Sequence, residues 1–452
     1  MASAILKKII SATRPSHKWT LVVFLICLVP RILLQVTNKE CNDDHVTTIL
    51  LWEKTGEYPG ARDCWECFQP PLFYSIVKAA NSLYGASTWA EYFTLIQILN
   101  FFFLIAILWI ILKYIEALNL SKWLSISSML FWGLNPELIS IGALNTNDTL
   151  LILMGMITSI LFFRFLRNQP NQKTELWIFV LLFLMGITKG NGLIFFGAFA
   201  LIILLKIVRS KRIEWMGILR LGLLFILIGL GIVFVGKYAE KQKNYGNAFI
   251  TNVDPPYEKA KWNEEGSMEL RKGVNTYREA FLTFPLGSLL ETPYNLTNAE
   301  NTQLHRQNLW TQFLGQYSNF VFERHPPSWK SLNNDQYNFA RINYVLHAIL
   351  ALLILIPFFN LFKNPARILH HSQFVHFLLV VVFVAFTIKY SAQYRDFSFM
   401  KVIFVYPAYL SFVSLYSFAF QKIKFQKLLT AVLFMCSTFY MVNFVYTMIA
   451  LS

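Results

Sequence analysis

Long apolar runs separated by short polar stretches dominate the chain, among them "WTLVVFLICLVPRILL", "YFTLIQILNFFFLIAILWIIL" and "LRLGLLFILIGLGIVFVG". A helix needs about 20 apolar residues to cross roughly 30 Å of hydrocarbon, and backbone groups in lipid are satisfied inside helices. The pattern predicts an all-α polytopic membrane protein with about 11 transmembrane helices (10–13). The expected spans are near 19–36, 92–112, 123–141, 149–166, 176–189, 191–208, 216–236, 343–361, 373–389, 401–420 and 428–449.

Basic residues gather in every second loop. The stretch from Lys206 to Arg212 is one example, and the loops that alternate with such stretches hold nearly all the carboxylates. This is the positive-inside pattern, which places the N-terminus in the cytoplasm and the C-terminus outside. The net charge of +15 therefore reflects membrane topology, and we expect no nucleic-acid partner.

The same topology places two long segments outside the membrane, 37–91 and 237–342. We expect three parts. An N-terminal transmembrane module, 1–236, includes the first outside segment, 37–91, with the catalytic motif. An extracytoplasmic loop region spans 237–342, and C-terminal helices span 343–452. So much chain on one face suggests that the protein acts there. We expect a multi-pass protein of a bacterial inner membrane.

Three of the five cysteines, Cys41, Cys64 and Cys67, fall in the first outside segment. The C-x-x-C spacing in "CWEC" suits a disulfide or a metal, and an envelope compartment is oxidising. A disulfide (Cys64 with Cys67, or one involving Cys41), free thiols and a metal site all stay open.

Carboxylates mark two points on the outer face. In "CNDDH", Asp43, Asp44 and His45 precede an amphipathic helix, and Asp148 stands where "NTNDTLLILM" enters a span. Asp is a favoured helix cap, so capping is one interpretation of either position. A reactive carboxylate is the other, because a cap needs one Asp rather than two and an ionisable group at a membrane boundary is a functional candidate.

Cations occupy the same face. Lys189 lies in "TKGNG", while Arg395 and Lys401 lie in "YSAQYRDFSFMKVIFVYPAYL". Snorkelling of basic side chains at helix ends is the structural interpretation. The functional one is an anion site, since glycines allow close backbone approach. A carboxylate base and cations that offset charge on a leaving phosphate suit sugar transfer from a lipid-phosphate carrier.

The order of these motifs, with "GEYP", "QPPLFY" and "YPAYL" among them, resembles the GT-C superfamily of polytopic glycosyltransferases. The resemblance is to the branch of the protein O-mannosyltransferases and the lipid A aminoarabinose transferase, and it is strongest over about 19–200. It implies a polyprenyl- or dolichyl-phosphate sugar donor and direct displacement with inversion. The acceptor is a protein, a lipid or a glycan.

The resemblance also implies residue roles. The base falls on Asp44 or Asp43. In many relatives the acidic residue lies about four positions before the match to His45, which is the place of Cys41, so both aspartates stay candidates. The expected substrate-binding residues are His45, Asp148, Lys189, Arg395 and Lys401. Asp148 matches a position associated with donor, acceptor or metal binding, so a divalent metal ion there is open; no other cofactor is expected.

Two rival functions follow from the same sequence. A transporter or flippase of lipid-linked sugars needs polar residues across the midplane of several spans, and those segments look apolar. A non-catalytic membrane scaffold predicts that Asp43, Asp44 and Asp148 can all become Asn without loss of function.

Overall fold

The computed structural model describes residues 18–38, 44–167, 171–209, 215–252, 254, 277–291, 308–319, 334–363, 373–393 and 400–451. Cys41, Asp43 and Arg395 lie outside these residues. Within them every regular element is a helix, as the hydrophobic pattern predicts. Nine helices of this part are long and apolar enough to cross a membrane, and the chain is a multi-pass membrane protein.

The helices follow one another along the chain in this order: α1 Lys18–Thr37, α2 His45–Thr55, α3 Leu72–Tyr84, α4 Trp89–Ala117, α5 Lys122–Gly133, α6 Pro136–Ala143, α7 Asp148–Arg167, α8 Gln172–Gly186, α9 Leu193–Arg209, α10 Trp215–Val235, α11 Tyr238–Tyr245, α12 Tyr277–Phe281, α13 Leu286–Glu291, α14 Leu309–Ser318, α15 Asn334–Ala351, α16 Leu355–Phe362, α17 Phe374–Gln393, α18 Tyr409–Lys422 and α19 Gln426–Leu451. Short 3-10 turns at Gly190–Gly192, Leu352–Ile354 and Val402–Ala408 join some of them.

Two of the eleven predicted spans are not among the nine candidates. The predicted span 123–141 is divided into α5 and α6, because Pro136 cannot continue the preceding helix and Asn135 caps the next one. The predicted span 176–189 is the 15-residue helix α8, which is short for a straight crossing. The count of eleven stays a prediction.

The first helix shows how sequence selects the buried face. Its residues Val23, Cys27, Arg31 and Leu34 are buried and recur every three or four positions, which places them on one side of a helix. Apolar residues on the opposite side, including Leu25 and Ile32, are exposed and suit lipid. The helix therefore packs one stripe into the bundle.

Buried amides hold the turn that leads into α7. Gln97 Nε2 donates to the backbone oxygen of Ala143 at 3.0 Å. Asn100 Nδ2 donates to the backbone oxygens of Leu144 and Thr146, both at 3.0 Å. Amides inside an apolar helix are costly unless they are satisfied. Here they satisfy backbone carbonyls at the last residue of α6 and in the turn that follows it, so they fix the position of Asp148.

Candidate active site

Asp44 caps α2. Its Oδ1 accepts from the backbone N–H of Thr47 at 3.1 Å and from the indole Nε1–H of Trp89 at 3.2 Å, and its Oδ2 accepts from the hydroxyl of Thr47. The capping interpretation is thus realised in the structure. A carboxylate offers about four acceptor positions, so these three donors leave one for a substrate hydroxyl.

His45 is buried and faces the protein. Its Nδ1 lies 2.8 Å from the hydroxyl of Tyr74, and its Nε2 lies 4.0 Å from the Glu66 carboxylate. The hydroxyl of Tyr74 also donates to the backbone oxygen of Glu66 at 3.3 Å. In this arrangement His45 ties α2 to α3 and to the "CWEC" loop, so it positions the start of α2, where Asp44 lies.

The "CWEC" loop is closed by a disulfide between Cys64 and Cys67. Between them Glu66 is 4% exposed, and its carboxylate accepts from Gln69 Nε2 at 3.1 Å. Burial, together with the charge of Glu66, raises the pKa of Tyr58 well above its usual range. Tyr58 therefore stays a neutral donor, and it donates to the backbone oxygen of Gln69 at 2.7 Å. The loop is a compact polar unit beneath α2.

Asp148 and Lys189 form a buried ion pair. Lys189 Nζ lies 2.7 Å from Asp148 Oδ1, and the two side chains are 13% and 8% exposed. The other oxygen, Oδ2, accepts from the hydroxyl of Thr146 at 2.7 Å. An ammonium has three donors, so one bond to Asp148 leaves two for an anion.

The loop that carries Lys189 is shaped by close backbone contact. A Cβ atom at Gly192 would lie 2.2 Å from the backbone oxygen of Met185, so only glycine fits there. The N–H of Lys189 donates to that same oxygen at 3.2 Å, which continues the end of α8 by one turn. Asn147 Nδ2 donates to the backbone oxygen of Thr188 at 3.4 Å, joining the two loops of the pair.

The first outer segment docks on the Lys189 loop. The N–H of Leu72, at the start of α3, donates to the backbone oxygen of Ile187 at 3.0 Å. The hydroxyl of Tyr238 donates to the backbone oxygen of Gly186 at 3.0 Å. A chain of contacts therefore runs from Asp44 and His45 through α3 to the Lys189–Asp148 pair.

Lys241 on α11 reinforces this junction. Its Nζ donates to the backbone oxygen of Phe68 at 2.6 Å, next to the residues that begin α3. Burial lowers the pKa of Lys241 to about 8, with a small opposing effect of Glu240. The sequence interpretation overlooked this lysine, because "KYAEKQKNYG" has the composition of a solvated helix.

Lys401 is half-buried and directly precedes the 3-10 turn Val402–Ala408. The N–H of Val402 donates to Gln316 Oε1 at 2.7 Å, so α14 covers this turn. The turn also packs on α7, since a Cβ at Gly155 would lie 2.3 Å from the backbone oxygen of Pro407. The role of Lys401 in substrate binding stays a prediction.

A metal ion at Asp148 does not fit the surrounding donors. Oδ1 of Asp148 faces the ammonium of Lys189, and Oδ2 accepts from Thr146. Among the described residues there is no group of three His, Cys, Asp or Glu side chains that could hold a metal ion. A divalent metal ion at Asp148 therefore stays a prediction, and the proposed reaction does not use one.

Several residues of the site went unnoticed in the sequence. Glu66 and Tyr74 lie inside the quoted motifs "CWEC" and "QPPLFY", but nothing local marks them as partners of His45. Gln97 and Asn100 did carry a signal: they are amides three positions apart in "FTLIQILNFFF", where apolar residues are the rule.

Comparisons with known proteins find structural similarity without sequence relatives. No family model and no curated protein matches the chain. It is similar to the crystal structure of ArnT from Cupriavidus metallidurans bound to undecaprenyl phosphate. The TM-score is 0.40 at 13% identity, over 97% of this chain and 77% of that one. The apo structure of ArnT gives 0.36 at 14% identity, over 95% and 76%. ArnT is a lipid A aminoarabinose transferase, which is in the branch that the motif order resembles.

Proposed function

We propose that the chain is a membrane glycosyltransferase that moves a sugar from a polyprenyl-phosphate carrier to an acceptor hydroxyl on the extracytoplasmic face. One observation carries this proposal: the buried Lys189–Asp148 pair, 2.7 Å apart, at the end of the bundle where the Asp44 segment docks. The alternation of basic loops supports an extracytoplasmic position for that end. The undecaprenyl phosphate named for ArnT is the carrier that we propose for this chain.

The reaction is a single displacement. Asp44 or Asp43 takes the proton of the acceptor hydroxyl as general base. The acceptor oxygen attacks the anomeric carbon, and the bond from that carbon to the phosphate oxygen breaks. One displacement inverts the anomeric configuration. The products are the glycosylated acceptor and the polyprenyl phosphate, and the proton stays on the base until solvent removes it.

Lys189 acts on the leaving group. Its two remaining donors bind the phosphate, where negative charge grows as the bond breaks. Asp148 holds the ammonium in place through the 2.7 Å ion pair. Asp148 is thus a positioning residue for Lys189.

The test uses purified protein in liposomes with a radiolabelled polyprenyl-phosphate sugar. We expect sugar release or transfer by the wild type and a loss of roughly 100-fold or more in either Asp43→Asn or Asp44→Asn. Asn is as good a helix cap as Asp, so Asp44→Asn removes a base while keeping α2 capped. Glu57→Gln, an exposed carboxylate of the same segment, is the matched control and should keep full activity.

The rival functions give different results. Movement of the labelled carrier across the vesicle without bond cleavage would show a transporter or flippase. Full activity in both Asp→Asn variants would remove the base from the mechanism, and a non-catalytic scaffold would show neither cleavage nor movement.

A further inference from the structure

A second buried cation lies in the bundle, on α1. Arg31 is 2% exposed and belongs to the buried stripe of that helix with Cys27 and Leu34. It therefore faces neighbouring helices rather than lipid. An ionisable side chain inside a membrane helix is costly and indicates a functional site unless a partner satisfies it.

The guanidinium of Arg31 is only partly satisfied. Its Nη1 donates to the backbone oxygen of Cys27 at 2.6 Å. Its Nε and Nη2 are buried and have no hydrogen-bond partner in the described part of the chain. A guanidinium has five N–H donors and no acceptor, so most donors of this cation are unfilled.

Snorkelling does not explain this side chain. Arg31 lies about 9 Å along the helix from Thr37, where α1 ends, and a snorkelling side chain would extend toward that nearer end. The contact with Cys27 lies one turn in the opposite direction. The guanidinium is therefore directed into the bundle.

A second unfilled donor belongs to the helix packed against α1. Trp132, on α5, is 1% exposed, and its Nε1 has no hydrogen-bond partner in the residues described. The two helices approach closely, since a Cβ at Gly133 would lie 2.7 Å from Cys27 Sγ. Tyr409 packs beside Trp132: the two ring centroids lie 5.6 Å apart, and the Tyr409 hydroxyl donates to the backbone oxygen of Trp132 at 2.9 Å.

The groups without a hydrogen-bond partner are mainly donors. The guanidinium and the indole N–H can only donate hydrogen bonds. Ser128, one helical turn before Trp132, adds a buried hydroxyl without a partner. Two donor-only groups and a hydroxyl that can also donate, beside a positive charge, match an oxyanion, and Arg binds oxyanions through two parallel hydrogen bonds.

We propose that Arg31 and Trp132 form a buried oxyanion-binding site, separate from the Lys189–Asp148 pair. Phosphate is the chemistry that we assign to it, carried either on a polyprenyl lipid or in solution. The lipid-borne form rests on the proposed function, since it presumes a lipid-linked donor or product. The soluble form does not.

The test measures thermal stability with three probes: undecaprenyl phosphate, inorganic phosphate, and undecaprenol, which lacks the anion. We expect undecaprenyl phosphate to raise the Tm of the wild type and undecaprenol to leave it unchanged. Arg31→Met should have a higher Tm than the wild type without ligand, because an unsatisfied cation is removed, and should lose the ligand-induced shift. Arg31→Lys keeps the positive charge but cannot donate two parallel hydrogen bonds, so its affinity for the phosphate should fall roughly tenfold.

A purely structural arginine behaves in the opposite way. If Arg31→Met lowers the Tm without ligand or keeps the full ligand-induced shift, the inference is wrong, and buried water or backbone fills those donors. If the ligand-induced rise in Tm is lost in Lys189→Met and retained in Arg31→Met, the Arg31 site is wrong and the proposed function still stands. A shift with inorganic phosphate alone, lost in Arg31→Met, supports the site and rejects the lipid-borne form. No shift with any probe rejects the site.

Trp132→Phe is the second variant, because it removes only the indole donor and keeps a large ring. It should fold as the wild type does and weaken the phosphate-induced shift. Trp123→Phe is the matched control on the same helix, since Trp123 is 61% exposed and should leave the shift unchanged. Equal behaviour of the two variants would remove Trp132 from the site.

Discussion

Lys189 and Arg31 are enclosed by the bundle in different ways. Lys189 lies at a helix end, 2.7 Å from a carboxylate, in a loop shaped by glycine. Arg31 lies inside a helix, and the one partner of its guanidinium in the described residues is a backbone oxygen. Burying a charge is costly unless it is paired. The charge of Lys189 is therefore paired before any ligand arrives, whereas the charge of Arg31 is not.

This difference in pairing predicts which of the two cations contributes more stability when a phosphate binds. A phosphate at Lys189 adds to an existing pair, and Asp148 opposes it by like charge. A phosphate at Arg31 satisfies donors that none of the described residues fills. We therefore expect Lys189 to govern the reaction and Arg31 to govern the stabilisation by bound anion.

Breaking the satisfied pair should give the largest effect. Asp148→Asn leaves Lys189 buried without its counter-charge, and removing one partner of a buried pair costs roughly 3–5 kcal/mol. We expect loss of that stability and roughly 100-fold less sugar release, measured by thermal unfolding and by the radiolabel assay.

The control for that variant is the exposed pair Lys78–Glu53, 3.3 Å apart. Glu53→Gln should cost less than about 1 kcal/mol, because exposed ion pairs contribute little. Equal losses in Asp148→Asn and Glu53→Gln would show that burial does not distinguish the two pairs.

Supplying Arg31 with a carboxylate should make it resemble Lys189. Cys27→Asp places an acid one turn from Arg31, at a spacing where helix side chains meet. We expect the variant to fold and to lose the phosphate-induced rise in Tm, because the new carboxylate accepts the hydrogen bonds that the guanidinium would donate to phosphate. The double variant Cys27→Asp with Arg31→Met buries an unpaired acid and should be less stable than either single variant.

The thermodynamic cycle over these variants measures the interaction directly. We predict a favourable coupling of about 2 kcal/mol between Asp at 27 and Arg31. A coupling near zero would mean that the guanidinium does not reach that side of α1.

Removing the disulfide should have a moderate effect. Cys64→Ser with Cys67→Ser frees a short loop, and the chain-entropy estimate is about 2 kcal/mol. Neither Arg31 nor Trp132 lies in this loop, so we expect lower thermal stability with an unchanged phosphate-induced shift. Dithiothreitol should destabilise the wild type and leave the double variant unaffected. A lost shift would show that the loop shapes the anion sites as well.

The last effect appears only at alkaline pH and concerns Lys241, whose pKa of about 8 in the folded chain lies below its ordinary value of 10.5. The unfolded chain therefore holds this proton more tightly between these two pH values. Stability should rise as the pH increases through that window and should be flat in this respect below pH 8. Lys241→Met should lack this gain in stability. The difference in Tm between the wild type and the variant, measured from pH 7 to pH 10, therefore gives the contribution of Lys241. Parallel curves for the two proteins would contradict the assignment.

Periodicity and charge predicted much of the fold. The apolar runs predicted the helices, because membrane-spanning elements need length and low polarity, and both are visible in one dimension. The break between α5 and α6 was also visible as Pro136, yet the continuous hydrophobicity of the stretch outweighed it. Boundaries of this kind depend on single residues rather than on average hydropathy.

The site was harder to predict, because pairing is a property of three dimensions. Lys189 and Asp148 were both candidates as separate boundary residues, but their contact joins positions far apart in the chain. Arg31 was not among the predicted site residues, because nothing in "LVPRILLQ" shows which way its side chain points. Its direction toward Cys27 appears only in the structure.

The most direct measurement of the central claim is an experimental structure of the chain with undecaprenyl phosphate bound. We predict a phosphate oxygen within hydrogen-bond distance of Lys189 Nζ, with Asp148 still in contact with the same ammonium. A phosphate bound away from Lys189, with the 2.7 Å pair unchanged and no contact to the lipid, would contradict the proposed role of this pair.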